Sequence, residues 1–514
     1  MPEHLKALIV ILGLATVVFT FAKAPACAMA SAGKDFERRR NLWFVLTLAA
    51  FLAHNFWIYI IAVAALLLYA LRREANKLAM FFFLLLALPR ISSFIPGLAA
   101  IENLFSIDYQ RLLVLIVLFP AFLALRSRAD IEPFGRSAPD KFIAGYLVLT
   151  FSLMLAYNTF TVSLRHGIFN VFIDVFLPYY VASRSLRNLR DFRDALMAFA
   201  VAALVLSAIL YFEFTWRWLV YPSLEQALGV RWGWNSNLER GGNLRASGPI
   251  GHPIAAGYVV AVAMGFFLYL RRTVPNRTVW GLGLALLVAG LIAALSRAPW
   301  LGAAAMLLVF VATGPARVPT LAKLGLFCVI ALPLLLATPV GDRIIDHLPF
   351  VGTIQAENVL ARQRLAEVSF QVFLENPVFG RRDFIDMSAM EVLRGSDGRI
   401  DMVNTYAIVG LGSGFVGLSL FVGFFAAVVF GIYKGMRNLA DSNDERYVLG
   451  RSLLSTLLGI LFIIGTVSPV LVIPAIYWSV AGLGVAYARM LAPGKAHGAA
   501  KPARSQEAVA EVRT

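Results

Sequence analysis

Arginine without lysine marks the longest polar stretch of the chain. Residues 341–404 contain seven arginines, ten carboxylates and no lysine. The guanidinium group stays charged, and its planar fork can hold two phosphate oxygens at once. These residue types fit a site for a phosphate-bearing substrate. We expect Arg362 and Arg364 to belong to such a site, and four of the others to pair with nearby carboxylates: Arg381, Arg382, Arg394 and Arg399.

Two further arginines stand at the borders of apolar segments. Arg297, in the sequence SRAPW, separates two apolar runs and therefore lies at membrane depth or at its rim. A charge there is costly unless it has a partner or a task. Arg245 opens the sequence RASGPIGHP, whose Gly and Pro residues predict a tight turn before the next helix. The alternatives are a contact with lipid headgroups for Arg297 and a turn-stabilising contact for Arg245, but we favour a functional role for both.

Three other side chains are candidates for ligand contact. Asp174 lies inside an apolar segment, which by default indicates function. It could hold a buried arginine such as Arg297, or be hydrogen-bonded near the helix end. Trp232 and Trp234 lie in a second polar loop, 213–253, and could stack on sugar rings, although tryptophan also anchors helices at the membrane interface.

The composition identifies the class of protein that must position these residues. The chain has 514 residues, of which 59% are hydrophobic and 15% charged, with a mean hydropathy of +0.74. Repeated apolar runs of about 17–25 residues predict an all-α polytopic membrane protein. The net charge of +16 does not predict nucleic-acid binding, because basic loops are typical of membrane proteins. Two cysteines predict neither disulfides nor a metal centre, and motifs for nucleotide cofactors are missing.

The apolar segments predict about 12–15 transmembrane helices. The first, 5–21, is expected to be an uncleaved helix, because the basic block 34–40 follows it. The segment 41–71 should turn near His54-Asn55, and 452–490 near Ser468-Pro469. The remaining segments are 78–97, 112–125, 142–158, 168–183, 194–212, 254–270, 279–295, 298–313, 321–340 and 407–432.

The basic residues predict the orientation. From Lys34 onward the lysines fall in alternate loops, which are cytoplasmic by the positive-inside rule: Lys34, Lys77, Lys141, Lys323, Lys434, Lys495 and Lys501. The two long polar loops, 213–253 and 341–404, are then both periplasmic. The predicted organisation is a membrane region over 1–340, the large loop 341–404, a second membrane region over 405–490 and a disordered cytoplasmic tail over 491–514.

The large loop is expected to contain an amphipathic helix. Over 361–374 the pattern places Leu365, Val368, Val372 and Phe373 on one face, and Gln363, Glu367 and Gln371 on the other. Such a helix would lie along the membrane surface with its arginines near the headgroups. An ordinary packing helix explains the apolar pattern equally well.

Taken in order, these pieces resemble the O-antigen ligase and bacterial polysaccharide polymerase family. The resemblance runs from Arg245 to Phe421. It comprises the turn RASGP (245–249) before a helix, the SRAPW hairpin and the outer loop. In that loop, Arg362 and Arg364 precede ENPVFG (375–380), and NTY (404–406) leads into GFVG (414–417).

The resemblance implies a GT-C-like membrane enzyme of the bacterial inner membrane. Its reaction would be a metal-independent, inverting glycosyl transfer from undecaprenyl diphosphate on the periplasmic face, with no cofactor. Arg245 and Arg297 would bind the diphosphate. Arg362, Arg364, Asn404 and Tyr406 would contact the substrate. A flippase and a chain-length regulator are the expected partners, besides membrane lipid.

The base for the acceptor hydroxyl is the least determined part of this site. Asp401 is the first candidate, because it lies where ligases of the family keep their critical stretch, and His252 is another. Ligases of the family have a histidine just before the asparagine that matches Asn404. This chain instead reads DMVN (401–404). That departure favours the polymerase branch over a ligase. A transporter or flippase is the alternative from a different class, but the polar residues lie in outer loops rather than near the midplane.

Overall fold

The computed structural model describes residues 1–31, 33–97, 103–230, 238–274, 276–336, 356–395, 398 and 400–492. For residues 324, 327, 328, 330–336 and 356–360 it describes the backbone alone. The described chain is mostly helical. Its helices are α1 Glu3–Met29, α2 Asp35–Leu52, α3 Phe56–Leu71, α4 Lys77–Leu84, α5 Tyr109–Arg126, α6 Ala138–Tyr157, α7 Phe160–Ser185, α8 Leu189–Trp216, α9 Pro222–Leu228, α10 Pro253–Leu270, α11 Arg277–Ala293, α12 Arg297–Ala312, α13 Arg317–Leu336, α14 Ala356–Glu375, α15 Thr405–Arg437, α16 Glu445–Ile464 and α17 Ile473–Met490.

Length and hydropathy identify the helices that can cross a membrane. Within the described ranges, eight helices are long and apolar enough: α1, α5, α6, α7, α8, α10, α15 and α16. Three shorter apolar helices, α3, α11 and α12, have 16 or 17 residues each. The described chain is thus mostly helical with several helices able to span a membrane, as the prediction of an all-α polytopic membrane protein requires. The expected total of about 12–15 crossings stays a prediction.

Two of the predicted turns occur where the sequence indicates them. After α2 ends at Leu52, His54 adopts a positive φ of 50°, and the Asn55 side chain accepts hydrogen bonds from the first backbone N–H groups of α3. The second turn lies between Ile464 and Ile473, which end α16 and begin α17. Both long apolar segments are thus pairs of helices.

The apolar segment 78–97 is not one helix, contrary to the prediction. Helix α4 ends at Leu84, and β1 (Ser92–Pro96) pairs with β2 (Asn103–Asp108) in an antiparallel hairpin. Pro89 and Pro96 explain the difference, because proline has no backbone N–H and cannot continue a helix.

Small residues allow the central helices to approach closely. Helix α8 packs against α1, α4, α10 and α11, and α10 packs in turn against α12 and α16. A Cβ atom added at Gly290 would lie 2.6 Å from Ser207 Cβ, and one at Gly302 would lie 2.2 Å from Ile463 Cγ1. Close contact at small residues is the usual way in which membrane helices associate.

Buried ion pairs join the helices at one end of the bundle. Arg39 of α2 donates to Glu74 and to Asp194 at the start of α8, each at 2.6 Å. Lys77 and Lys141 lie in the first turns of α4 and α6 at this same end. We call it the lysine end. The polar loops after α8 and α14 lie at the other end, which we call the cavity end.

The large loop is joined to helix α15 where that helix is broken. Gly414 has φ 63° and ψ −165°, so the helical hydrogen bonds around it are lost. The freed N–H groups of Phe415 and Val416 donate to the carbonyls of Pro377 and Val378, at 2.7 and 3.1 Å. A broken membrane helix is tolerated when another segment satisfies its backbone in this way. The ENPVFG and GFVG sequences therefore form one structural unit.

Candidate functional site

A cavity of about 570 Å³ opens at the cavity end of the bundle. It lies between the turn before α10, the start of α12, helix α14 and the segment preceding α15. Six arginines and two carboxylates line it: Arg240, Arg245, Arg297, Arg362, Arg364 and Arg394, with Glu239 and Asp401. None of the described lining residues is a lysine. The cavity thus brings together Arg245, Arg297, Arg362, Arg364 and Asp401, which the sequence analysis placed in one site.

A buried carboxylate from helix α8 holds the turn that presents Arg245. Glu213 accepts hydrogen bonds from the backbone N–H groups of Val220, Ser247 and Gly248, at 2.9 to 3.1 Å. Gly248 has a φ of +53°, and a Cβ atom there would lie 2.9 Å from a Leu206 methyl group. Only glycine fits this position without strain. The turn is therefore rigid, and the backbone of Arg245 is held in a fixed position.

Arg240 is positioned by a short hairpin that the sequence analysis did not predict. Strands β3 (Glu239–Arg240) and β4 (Asn243–Leu244) pair around Gly241-Gly242, both with positive φ. Two glycines with positive φ are typical of a type I′ turn. The Arg240 guanidinium donates to the Leu295 carbonyl at 2.6 Å, which joins the hairpin to the start of α12.

Among the described lining residues of the cavity, arginines outnumber carboxylates. Arg245 is 9% exposed, and its Nε and Nη2 atoms have no hydrogen-bond partner among the described residues. Burial and the nearby charge of Arg240 lower the pKa of Arg245 to about 10. Burial and the charges of Arg297 and Arg362 lower the pKa of Arg240 to about 10. Both groups stay protonated at neutral pH, so an anion in the cavity would relieve their repulsion.

The start of α12 adds a helix N-terminus to the same wall. Ser296, Arg297 and Ala298 line the cavity, and the Ser296 side chain does not cap the helix. The first N–H groups of a helix and its dipole both favour a bound anion. Trp300 fixes the hairpin between α11 and α12 by donating its indole N–H to the Leu291 carbonyl at 2.8 Å. Arg297 itself is half-buried.

Helix α14 forms the outer wall and contains the segment in which an amphipathic helix was expected. Leu365 and Val372 are buried against a small core that includes Phe384, Met390, Met402 and Leu411. Gln363, Glu367 and Gln371 are exposed, as the pattern predicts. Arg362 and Arg364 extend from this helix to the cavity.

The side chains of Asn404, Thr405 and Tyr406 anchor the segment after Asp401 and do not line the cavity. Asn404 caps α15 by accepting from the Ala407 N–H. The Tyr406 hydroxyl donates to the Leu461 carbonyl at 2.8 Å, and the Thr405 hydroxyl donates to the Val467 carbonyl at 2.7 Å. These bonds tie the start of α15 to the end of α16. Asn404 and Tyr406 therefore hold the start of α15, and the structure does not bring their polar groups to the cavity.

Two other predicted site residues lie away from the cavity lining. His252 caps α10 through its Nδ1 atom, which accepts from the Ile254 N–H at 3.3 Å. Burial and the charge of Arg245 lower the pKa of His252 to about 4. Asp174 pairs with Arg111 at 3.1 Å, not with Arg297 as suggested, because the middle of α7 packs against the start of α5. Trp232 and Trp234 lie outside the described residues.

Two of the four arginines expected to pair with carboxylates form such ion pairs among the described residues. Arg381 pairs with Asp383, and Arg394 pairs with Glu391, each at 2.7 Å. Arg394 nevertheless lines the cavity, at its rim. Arg382 forms no ion pair with any described carboxylate, and its guanidinium lies beside Gly412 on α15. The pairing predicted for Arg382 stays a prediction, because several carboxylates of the loop lie outside the described residues, as does Arg399.

We expect Glu213→Gln to destabilise the protein by about 1–3 kcal/mol. An amide oxygen can still accept from Ser247 and Gly248, but the amide nitrogen then faces the Val220 N–H, which loses its partner in the interior. Thermal unfolding of the purified protein in detergent measures the effect. Asp383→Asn, which removes an exposed ion-pair partner, is the control and should change stability by about 0–1 kcal/mol. Equal stability of Glu213→Gln and wild type would contradict this account of the turn.

The described residues offer no group of three or more side chains that could hold a metal ion. The ligand chemistry of the cavity is that of guanidinium groups and backbone N–H groups, which bind oxyanions. No protein-family model matches the chain, and a search of the curated proteins finds no match either.

Proposed function

We propose that this chain is a membrane glycosyltransferase that polymerises lipid-diphosphate-linked oligosaccharides at the periplasmic face of a bacterial inner membrane. The observation that carries the proposal is the arginine-lined cavity at one end of a bundle of apolar helices. A polyprenyl diphosphate has its anionic group at the membrane surface and its tail in the bilayer. An arginine site bordered by membrane helices suits both parts of that substrate.

In this proposal, Arg245 and Arg297 hold the diphosphate from two sides. As the bond between the anomeric carbon and the diphosphate oxygen breaks, its electron pair leaves with the diphosphate. Preorganised guanidinium groups stabilise this growing negative charge more strongly than they stabilise the bound substrate. The acceptor hydroxyl attacks the opposite face of the sugar, so the configuration at the anomeric carbon is inverted.

Asp401 is the proposed base that takes the proton of the acceptor hydroxyl. It lines the same cavity as the two arginines. A carboxylate can play this role when it lies within hydrogen-bond reach of the attacking oxygen. If the diphosphate leaves early, the transition state resembles an oxocarbenium ion, and the demand on the base is smaller. His252 is the weaker candidate, since its low pKa and its capping bond leave little basicity.

Transfer to a different acceptor, as in a ligase, is the second candidate function. The DMVN sequence, which lacks the ligase histidine, favours polymerisation. Turnover of a defined donor tests the whole proposal. Purified protein in detergent should convert a synthetic polyprenyl-diphosphate oligosaccharide into longer glycans and free polyprenyl diphosphate, with neither nucleotide nor ion gradient. A donor that stays intact in detergent, but is moved across the membrane of sealed vesicles, would identify a transporter instead.

Activity should survive chelation of divalent metals. The diphosphate charge is balanced by arginine in this proposal, so excess EDTA is expected to leave the rate of glycan transfer unchanged. The measurement is product formation by the purified enzyme with and without EDTA. A complete loss of activity that Mg²⁺ or Mn²⁺ restores would mean that arginine alone does not stabilise the leaving group.

The proposed orientation can be tested by labelling. With Cys27 and Cys328 replaced by serine, Ser388→Cys at the cavity end should react with an impermeant maleimide added from the periplasm. Asn443→Cys, between α15 and α16, should react only after the inner membrane is opened. Both native side chains are polar and lie in connecting segments. Labelling in the opposite sense would put the cavity on the cytoplasmic side and overturn the proposed location.

A further inference from the structure

A second cavity, of about 760 Å³, lies at the lysine end of the bundle. It is formed by the last turn of α5, the connecting segment 127–137 and the second half of α7. Its charged lining residues are Arg126, Arg128, Arg136 and Glu132. The proposed glycosyl-transfer site does not include any of these residues.

The floor of this cavity is aromatic. Phe122 of α5 and Phe176 of α7 lie with their ring centroids 5.8 Å apart, and Tyr180 lies 4.8 Å from Phe122. Phe134, from the connecting segment, contacts Phe176 edge-on at 5.2 Å. This arrangement provides a continuous apolar surface that can accept a hydrocarbon chain.

The rim carries unbalanced positive charge. Glu132, the carboxylate among the described lining residues, is paired with Arg489 outside the cavity at 3.2 Å. Arg128 shares Asp130 with Arg187, which lies between α7 and α8. Arg126 and Arg136 are both exposed, and neither forms an ion pair within the described ranges. An anionic group at the rim would therefore meet two uncompensated guanidinium groups.

The position of the cavity relative to the apolar helices indicates the kind of ligand. Arg126 is the last residue of a membrane-spanning candidate, and Phe176 lies within another, Phe160–Ser185. The charged rim thus lies where the apolar surface ends, and the aromatic floor is continuous with that apolar surface. A phospholipid has the same order of groups, with a phosphate at the interface and acyl chains below it.

We propose that this cavity binds one anionic glycerophospholipid, whose phosphate contacts Arg126 and Arg136 and whose acyl chain lies against Phe122 and Phe176. A soluble phosphate compound would use the rim and leave the aromatic floor empty. A zwitterionic lipid would fill the floor, but its positive headgroup would face the two arginines. Anionic lipids therefore fit this cavity better than either.

The test is lipid retention by the full-length protein, measured by native mass spectrometry after titration with phosphatidylglycerol in mild detergent. Each basic residue near an anionic lipid contributes about 1 kcal/mol. Arg126→Gln combined with Arg136→Gln should therefore weaken binding about thirtyfold, since 1.4 kcal/mol is tenfold. The matched control combines Arg277→Gln with Arg437→Gln. These exposed arginines lie at helix ends away from the cavity, so the control should bind like wild type.

Competition by other ligands and one apolar variant distinguish an anionic phospholipid from the alternatives. Phosphatidylcholine should compete weakly, and glycerol phosphate should not displace bound phosphatidylglycerol. Phe134→Ala should weaken lipid binding without changing the charge, and a melting temperature near that of wild type would show that the variant is folded. Equal binding by the two double variants, displacement by glycerol phosphate, or equal affinity for phosphatidylcholine would each overturn the proposal.

Discussion

Replacing Arg297 or Arg245 with alanine is expected to slow glycan transfer about a hundred- to thousand-fold, or about 2.7–4 kcal/mol, the loss typical of one preorganised donor. Both residues line the same cavity, and two nitrogen atoms of Arg245 lack hydrogen-bond partners among the described residues. These two nitrogen atoms of Arg245 can therefore bind an incoming anion without giving up a hydrogen bond to a described residue. The measurement is the rate of product formation per amount of purified protein.

The melting temperature distinguishes a role of Arg245 in binding an anion from a role in holding the fold. Arg245 is buried beside Arg240, and that proximity is unfavourable while the cavity holds no anion. Arg245→Ala should therefore leave the melting temperature unchanged or raise it, even though activity falls. Lysine at either position should restore activity only in part, because it keeps the charge and loses the planar fork.

Arg381→Ala is the matched control for these variants. Arg381 lies in the same loop but pairs with Asp383 on the surface and does not line the cavity. Exposed pairs of this kind contribute about 0–1 kcal/mol, so activity should stay near that of wild type. If Arg297→Ala produces polymer at the wild-type rate and abundance, the site assignment is wrong.

Gly414→Ala is expected to destabilise the protein by about 3–5 kcal/mol. Its backbone, at φ 63° and ψ −165°, is in a region that is essentially restricted to glycine. An added Cβ atom would also lie 2.3 Å from the carbonyl carbon of Val378. Relieving that overlap requires breaking the hydrogen bonds from Phe415 and Val416 to the loop. The large loop would then separate from α15.

Gly410→Ala provides a control within the same helix. Gly410 lies one turn earlier, and a Cβ atom there would meet its nearest neighbours at the ordinary distance of 3.8 Å. Alanine in a helix interior is favoured over glycine by about 0.5–1 kcal/mol, so this variant should be neutral or slightly more stable. Thermal unfolding in detergent and abundance in membranes measure both variants. Equal stability of Gly414→Ala and wild type would mean that the helix is not broken at this point.

The sequence predicted the class of fold because hydrophobicity determines it. Apolar runs identified most of the helices, and breaks in them identified the turns at His54 and after Ile464. It failed at 78–97, where most residues are apolar but two prolines interrupt the helix. Hydropathy reports burial in the membrane or in the core, and it does not distinguish a helix from an apolar irregular segment.

The candidate site was predicted in part, for a similar reason. Arg245, Arg297, Arg362 and Arg364 were found because arginine near an apolar border is unusual. Arg240 was missed as a site residue, although its position before Gly241-Gly242 was a usable signal for a tight hairpin.

Contacts between distant segments left no such signal. The pairing of Asp174 with Arg111 and the support of the Arg245 turn by Glu213 join residues 63 and 34 positions apart. A single sequence shows that each of these charges is in an unusual place, but it does not identify the partner. For Asp174 the wrong arginine was therefore proposed, and for Glu213 no role was predicted.

The most direct test of the central claim is a cryo-electron microscopy structure of the purified protein with bound polyprenyl diphosphate. The proposal predicts density for the diphosphate in the 570 Å³ cavity, with its oxygens within hydrogen-bond distance of Arg245 and Arg297. The prenyl chain should run from there along the apolar helices. A diphosphate bound elsewhere on the protein, with both arginines directed away from it, would contradict the account.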